Sequence, residues 1–388
     1  MPIQGTVKGS QVEAQIWAPL ETIESSALDQ VKNVASLEPV KYVSIMPDVH
    51  TGKGACIGSV IAMEDAISPS LIGVDIGCGM CAAKMNLKRH KVSSKNVEKI
   101  YKAVCEEIPV GFNSRKEAHP LANLDWTVDM FSQLNAPIQD LEKKMLLQLG
   151  TLGGGNHFIE LEYDEHDNIW LMLHSGSRHI GAKIADYYIK RAIEIWRGPG
   201  LLDKALSYFS LGQIEYNQYM ADMYWAQKYA KTNRTIMMEI FTDIVRRIVG
   251  GKVMHNIQCH HNFSQVETHF GKRLNVVRKG AIEARRGQYG IIPGSMGRDS
   301  YIVRGLGSAD SLNSAPHGAG RRMSRTAAKK KYDKSDVEKT MQGIMCRTDK
   351  GVVDEICYSY KPIANVIEQS SDLVQPIAKL QQIMCIKG

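Results

Sequence analysis

The sequence predicts a mixed α and β fold built on a large sheet system. Three observations carry that expectation. Short apolar runs recur along the 388 residues, each ending in a Gly-rich or polar turn. Stretches of helical periodicity lie between the runs. No fixed-period repeat, low-complexity tract or clear linker interrupts the chain, and its glycines fall in many short segments. Glycine-rich segments spread in this way suit loops around a site on one scaffold better than hinges between domains.

In chain order the runs are YVSIMPDVHTGKG from Tyr42, ACIGSVIAME from Ala55, SLIGVDIGCGM from Ser70, IWLMLHSGSRHIG from Ile169, YGIIPGSMG from Tyr289 and SYIVRGLG from Ser300. Each reads as a strand feeding a loop. Residues 181–197 carry a helical pattern, and residues 213–249 a longer one with a break expected near Asn233. Ser324 is placed to cap a helix running through TAAKKKYDKSDVEKTMQGIM. The final stretch, LVQPIAKLQQIMCIKG, is apolar and periodic, and is expected to pack as a helix or strand against the core.

Composition narrows the class. With 44% hydrophobic residues the chain is long enough for a substantial core. The formal charge is +7, a mild excess that is compatible with nucleic acid but does not demand it. No apolar run reaches membrane-spanning length, and MPIQGTVKGSQVEAQ lacks the apolar centre of a signal peptide, so a cytoplasmic protein with no membrane partner is expected. The eight cysteines do not form a disulfide framework and are expected to be thiols.

The informative polar residues stand at the ends of the runs. Asp75 and Cys78 are three apart on a Gly-rich turn, where a carboxylate and a thiolate can face one ion. His157 follows in LGTLGGGNHFIEL, His174 ends IWLMLH, and His261 lies in CHHNF. One carboxylate, one thiolate and three imidazoles exceed what one structural ion needs. Two ions sharing the thiolate would use the set, and paired ions suit phosphoryl chemistry. Softness alone favours zinc for such donors. Cys78 and Cys81 also form a Cys-x-x-Cys, which serves as a redox pair or half a zinc site elsewhere. No second such pair is present, and Cys81 reads as a buried small residue. Neighbouring side chains on a strand face opposite ways, so only one of His260 and His261 is expected to reach the site. His90, His119, His166 and His269 lie in charged or loop-like stretches and are expected to be solvated.

Three further segments can meet phosphate. GTLGGGNHF offers backbone N–H groups to an anion but lacks the ending of a P-loop. IIPGSMGRDS carries Ser295 and Ser300. HGAGRRMSR places His317 on a third Gly-containing loop, with Arg321, Arg322 and Arg325 close behind. A neutral imidazole there can attack phosphorus while the guanidinium groups offset phosphate charge; a turn histidine before a solvated basic helix is the alternative. No Lys-based nucleotidyltransferase motif is present.

MPDVHTGKG, GVDIGCGM, LGTLGGGNHFIEL, LHSGSR, CHHNF, RKGAIEARRGQYGIIPGSMG, SYIVRGLG, HGAGRRMSR and the closing CIKG, in this order from Met46 to Gly388, resemble the RtcB RNA-splicing ligase family, its bacterial branch most closely. The resemblance implies an α+β architecture: one catalytic domain over residues 1–388, with a deep central cleft holding a dinuclear metal site. It implies that Asp75, Cys78, His157, His174 and His261 bind two Mn²⁺ ions, with Cys78 bridging. This selects His261 over His260 and manganese over zinc. It implies that His317 is guanylated by GTP. Asn156, Phe158, Glu160, Ser295, Ser300, Tyr360 and Lys387 match the guanine-nucleotide pocket, with Glu160 on the base edge, and Asp48 and Arg178 match groups close to the reacting phosphates. The implied reaction joins an RNA 3′-phosphate or 2′,3′-cyclic phosphate to an RNA 5′-hydroxyl, in tRNA splicing or RNA repair, and an archease-type activator assists parts of the family.

The sequence also departs from the pattern. His179 stands where the family generally has glycine. The segment from Glu106 to Gln148 is shorter and less familiar, and residues 1–41 match weakly. These features point toward a paralogue with its own RNA, in repair rather than tRNA splicing. Two rivals stand beside a ligase. A metal-dependent cyclic-phosphate phosphoesterase would need the metal ligands but not His317. A non-catalytic RNA-binding relative is expected to lack Cys78 or His317, and both are present. Lys279, Arg285 and Arg286 can hold an RNA backbone or form a solvated basic surface.

Overall fold

A computed structural model describes residues 3–123, 125–198 and 200–388. Residues 1, 2, 124 and 199 of the expected 1–388 span lie outside the described residues, as does residue 124 within the unfamiliar segment. The fold is α+β. In chain order the strands are β1 (Gly5–Lys8), β2 (Glu13–Ile16), β3 (Val40–His50), β4 (Ile57–Met63), β5 (Ala66–Ile67), β6 (Gly79–Lys88), β7 (Phe158–Tyr163), β8 (Asn168–Ser175), β9 (Phe209–Ser210), β10 (Val253–His260), β11 (Asn262–His269), β12 (Lys272–Lys279), β13 (Ala281–Glu283), β14 (Tyr289–Ile292), β15 (Ser300–Gly305), β16 (Ser314–Pro316), β17 (Met345–Cys346) and β18 (Val374–Lys387).

Two large sheets result. One runs β1-β2-β3-β4-β12-β11, and the other β10-β6-β8-β7-β18-β15-β14, with β17 added on β18. Pairing is antiparallel except for β2 on β3 and β17 on β18. Alternation along the strands sets the layers. Val60 and Ala62 of β4 share a core with Met80 and Ala82 of β6 and with Trp170 and Met172 of β8, so the two sheets pack face to face. The intervening residues point outward. Ile61 and Met63 join a core with Ile180, Ile184 and Tyr188 of the helix Arg178–Ile195. Cys81, Ala83, Leu171 and Leu173 join one with Met237 and Phe241 of the helix Ile214–Val249. The order of layers is helix, sheet, sheet, helix.

Four local expectations need correction. The SLIG segment is not a strand: Pro69–Ile72 forms one helical turn with Pro69 at its start, and the strand begins only at Gly79, after the Asp75–Cys78 turn. The helix Ile214–Val249 runs 36 residues without a break at Asn233. The Asn233 side chain accepts from the Gly150 and Thr151 N–H groups and donates to the Thr151 carbonyl, so it serves neighbouring loops instead of competing with its own helix. Ser324 does cap a helix, Arg325–Lys331. That helix stops at Tyr332, and Asp333 opens a second, Lys334–Thr340, with a reciprocal capping box. His269 is buried against Glu267, with Nε2 to Oε2 at 2.8 Å, rather than solvated. The final stretch is a strand, β18, central in its sheet.

Candidate active site

The turn before β6, the loop before β7, the end of β8 and the β10–β11 junction converge on one point. The junction is decisive for His261. β10 belongs to one sheet and β11 to the other, and His261 is the single residue between them. Its N–H donates to the Cys78 carbonyl at 2.8 Å, and its own carbonyl accepts from Gly280 and Ala281. His260 turns away, with Nδ1 2.8 Å from the Gly77 carbonyl. Cys78 Sγ lies 3.4 Å from His157 Nε2 and 3.2 Å from His174 Nε2. His174 Nε2 is 3.2 Å from His261 Nε2, and His157 Nε2 is 3.1 Å from Asp75 Oδ2.

These donors fit a metal. The ligand atoms of Cys78, His157 and His174 all lie within 4.8 Å of one another, and the three residues are buried. His157 Nδ1 sits 2.9 Å from the Leu152 carbonyl, and His174 Nδ1 3.2 Å from the Asn156 carbonyl. A proton held on each Nδ1 by those carbonyls leaves the Nε2 lone pairs facing inward, the arrangement that a cation resolves. Asp75 Oδ1 accepts from the Ser177 N–H at 3.0 Å. A side chain on Gly176 would put Cβ 2.2 Å from Asp75 Oδ1, so glycine is required there. Cys81 points into the opposite core and reaches only Asn256, at 3.5 Å, which leaves no Cys-x-x-Cys pair.

His317 follows β16 at the edge of this group, its ring centroid 4.8 Å from that of His261. Asp48, fully buried on β3, accepts at Oδ2 from His317 Nδ1 at 2.6 Å and from the His317 N–H at 3.1 Å. The carboxylate therefore holds the Nδ1–H tautomer and leaves Nε2 as the free lone pair. Gly320 has φ +72°, and a Cβ there would meet the Asp48 carbonyl at 2.2 Å, so the HGAG turn can close on Asp48 only with glycine.

His317 walls two cavities. One, of about 330 Å³, is lined by His50, Asn156, Phe158, Ser295, Arg321, Arg325, Glu355, Tyr360 and Lys387 among others. The other, of about 260 Å³, is lined by Lys53, Ser70, Asp75, Cys78, Asn156, His261, Asn262 and Lys279 among others. Glu355 is the hub of the first. It meets Lys387 at 2.9 Å, the Tyr360 hydroxyl at 2.8 Å, Arg325 at 2.6 Å and Arg321 at 3.3 Å. Burial would raise its carboxyl, but Lys387, Arg325 and Arg321 hold it down at about 2. Glu160 and Ser300 stand behind the cavity wall rather than on it. Glu160 accepts from the Gln382 amide at 3.0 Å, and Ser300 Oγ accepts from the Gly294 N–H at 3.2 Å. Arg178, at φ +59°, lines neither cavity; its guanidinium reaches Thr151 Oγ1 at 3.3 Å and the Gly111 carbonyl at 3.2 Å.

A family model described as "tRNA-splicing ligase RtcB" matches residues 30–388. The chain belongs to the RtcB family. It is 41% identical to the RNA-splicing ligase RtcB of Escherichia coli strain K12 over 96% of this chain and 97% of that protein. It is 31% identical to the tRNA-splicing ligase RtcB of Methanococcus maripaludis over 95% and 92%. In this RtcB chain, His179 lies at the start of the helix Arg178–Ile195, where its N–H donates to Gln148 Oε1 at 3.2 Å. Of the basic residues offered to RNA, Lys279 is buried and donates to the Ser70 carbonyl at 2.9 Å, while Arg285 pairs with Glu283 at 2.7 Å. Arg321 meets Glu355 away from solvent, while Arg325 pairs with Asp354 and Glu355 yet stays partly exposed. Sequence reading missed Glu355, His50 and the helix residues Asn233 and Arg234. Glu355 carried one signal: with Asp354 it puts two acids in the otherwise apolar VVDEIC. Among the described residues, no helix is long and apolar enough to cross a membrane.

Proposed function

We propose that this RtcB-family protein is an RNA ligase, one catalytic domain over residues 1–388, that uses GTP and Mn²⁺ to join 3′-phosphate or 2′,3′-cyclic phosphate RNA ends to 5′-hydroxyl ends. One observation carries the reading: His317 presents a free Nε2 at the wall shared by two cavities, beside a Cys/His/Asp cluster. Asp75, Cys78, His157, His174 and His261 would hold the two Mn²⁺ ions. The choice of manganese rests on the family, since the donors alone favour zinc. Bound metal would supply Lewis acidity and orient the phosphates.

The chain's own residues do the rest. The nucleotide occupies the cavity around Glu355, where Lys387 and the arginines are positioned to exchange a carboxylate partner for phosphate or base. Phe158 and Tyr360 flank it, and the family match assigns the guanine edge to Glu160, which stands behind the cavity wall. His317 Nε2 attacks the α-phosphorus, and pyrophosphate leaves. Asp48 stabilises the positive charge that develops on the ring by holding Nδ1–H. The guanylyl group then passes to the RNA 3′-phosphate in the second cavity. The 5′-hydroxyl of the other strand attacks that phosphorus, and GMP leaves. Arg178 orders the 151–155 loop close to these phosphates.

Incubation with [α-³²P]GTP and Mn²⁺, then denaturing electrophoresis, tests the reading. Label should stay on the protein, and RNA bearing a 3′-phosphate should discharge it. Cyclic-phosphate opening without labelling would instead favour the phosphoesterase.

A further inference from the structure

Glu160 has a neighbour that neither the ligand set nor the nucleotide contacts explain. Glu162 lies two residues on along β7, so both side chains leave the same face. That face looks into the core between the two sheets, away from Ile159 and Leu161. Glu162 is fully buried and Glu160 is 2% exposed. Among the described residues, both oxygens of Glu162 and Oε2 of Glu160 lack a well-formed hydrogen bond, although the Ser300 hydroxyl faces Glu162 and the Cys385 thiol faces Glu160, while Glu160 Oε1 accepts from Gln382. Three orphaned carboxylate oxygens in one buried place are untenable as two anions, because like charges at contact cannot both ionise in a dry core. A single proton between them supplies the missing donor and removes one charge.

We propose that Glu162 is a protonated carboxylic acid whose O–H donates to Glu160, making it a positioning residue that fixes Glu160 as the acceptor for a nucleobase edge carrying N–H donors. The role rests on the nucleotide reading above. Burial and then the Glu160 charge push the Glu162 carboxyl well above the usual range, which agrees with this assignment. The groups facing the pair are few. β18 brings Gln382, Cys385 and Lys387, and the loop entering β15 brings Asp299 and Ser300. From β8 comes Trp170, the register partner of Glu162, which is not titratable; its indole is committed to Asp164, itself paired with Lys84. Lys387 faces Glu160 rather than Glu162, so the pair divides into an anion beside a cation and an acid beside an acid.

Base selection follows from the proton's position. With Glu162 donating, Glu160 offers acceptors only and suits the N1–H and amino group of guanine. Without that donor, the Glu160 anion is harder to keep, and a protonated Glu160 would donate its O–H to adenine N1 as readily. Glu162→Gln keeps a neutral donor of the same shape, and Glu162→Met keeps volume without a donor. GTP-over-ATP preference in binding should fall about tenfold or more in Glu162→Met, the scale of one hydrogen bond to a charged group, and survive in Glu162→Gln. The acid limb of GTP binding should move to higher pH in Glu162→Met alone.

Infrared spectra of the nucleotide-free wild type and Glu162→Gln read the proton directly. A carboxylic-acid C=O band present in the wild type and lost in the variant is the expected result, and its absence from the wild type overturns the proposal even if Glu162→Met fails to fold. A band present with unchanged base preference and pH limb in Glu162→Met would make Glu162 a buried structural acid and overturn the positioning role only. A wild type that binds no GTP would overturn the nucleotide reading and the base-selecting role together.

Discussion

At the scale of single residues, the site divides into donors that glycine-rich motifs announced and partners that only packing reveals. Replacing His317 by alanine should abolish covalent labelling by GTP while leaving metal content unchanged, because His317 lies beside the ligand cluster rather than in it. Retained label in that variant would place the nucleophile elsewhere. Cys78→Ser should lose metal and ligation far more than Cys81→Ser, since only Cys78 Sγ sits within reach of His157 and His174. Metal analysis of the two proteins decides it, and equal loss would revive the Cys-x-x-Cys reading. Asp75, Cys78, His157, His174 and His261 were legible because each adjoins a Gly-rich or polar turn, where a side chain can leave the core. Glu355 was not legible, because its meaning lies in Lys387, Arg325 and Arg321 being folded against it from distant segments. The solvated readings of His269 and Lys279 failed for the same reason, although Lys279 still lines the second cavity. A charged sequence context implies solvent only until Glu267, or the Ser70 carbonyl, is brought alongside.

At the scale of elements, strands were easier to read than the turns between them. Apolar runs ending in Gly-rich or polar turns announced β3, β4, β8, β14 and β15, whereas Pro69–Ile72 is a single helical turn inside such a run and reads as part of a strand. The long helix is the sharper case. Asn233 looked like a break and is instead an anchor, joined by Arg234, which donates to the Gly77 and Ser175 carbonyls at 2.8 and 3.0 Å. One helical turn thus ties down the loops that carry Cys78 and His157 and the end of the strand that carries His174. Asn233→Leu should lower stability by about 2–6 kcal/mol, since it orphans the Gly150 and Thr151 N–H groups at about 1–3 kcal/mol each. It should also weaken metal binding without touching a ligand. Denaturant melts with and without Mn²⁺ measure both effects, and a purely stability-level loss would show that the loops hold themselves.

At the scale of the whole molecule, the two sheets contribute to one site. Asp48 comes from the sheet of β3, His174 and Lys387 come from the sheet of β8 and β18, and His261 stands at the crossing. Two consequences for stability follow. Mn²⁺ should raise the thermal midpoint of the wild type and raise that of Cys78→Ser much less, because a ligand stabilises in proportion to its affinity for the folded state. The Glu355 cluster adds a pH signature. Its folded carboxyl, at about 2, lies below the ordinary 4.5, so its stabilisation is complete above 4.5 and is lost as pH falls through 2. At neutral pH that difference corresponds to about 3 kcal/mol. The gap in unfolding free energy between wild type and Glu355→Gln should be widest above pH 4.5 and narrow steadily below it. A gap that is flat with pH would mean that packing, not charge, holds the cluster.

His317 as a wall shared by two chambers also sets a tempo. A side chain reached from both sides can accept its cargo through one opening while the other stands vacant. Loading then has its own equilibrium, governed by the ratio of GTP to pyrophosphate and indifferent to RNA. Radioactive pyrophosphate should scramble into GTP with no RNA in the tube. The protein would then rest between encounters already armed, and the wait for a broken strand would cost it no further nucleotide.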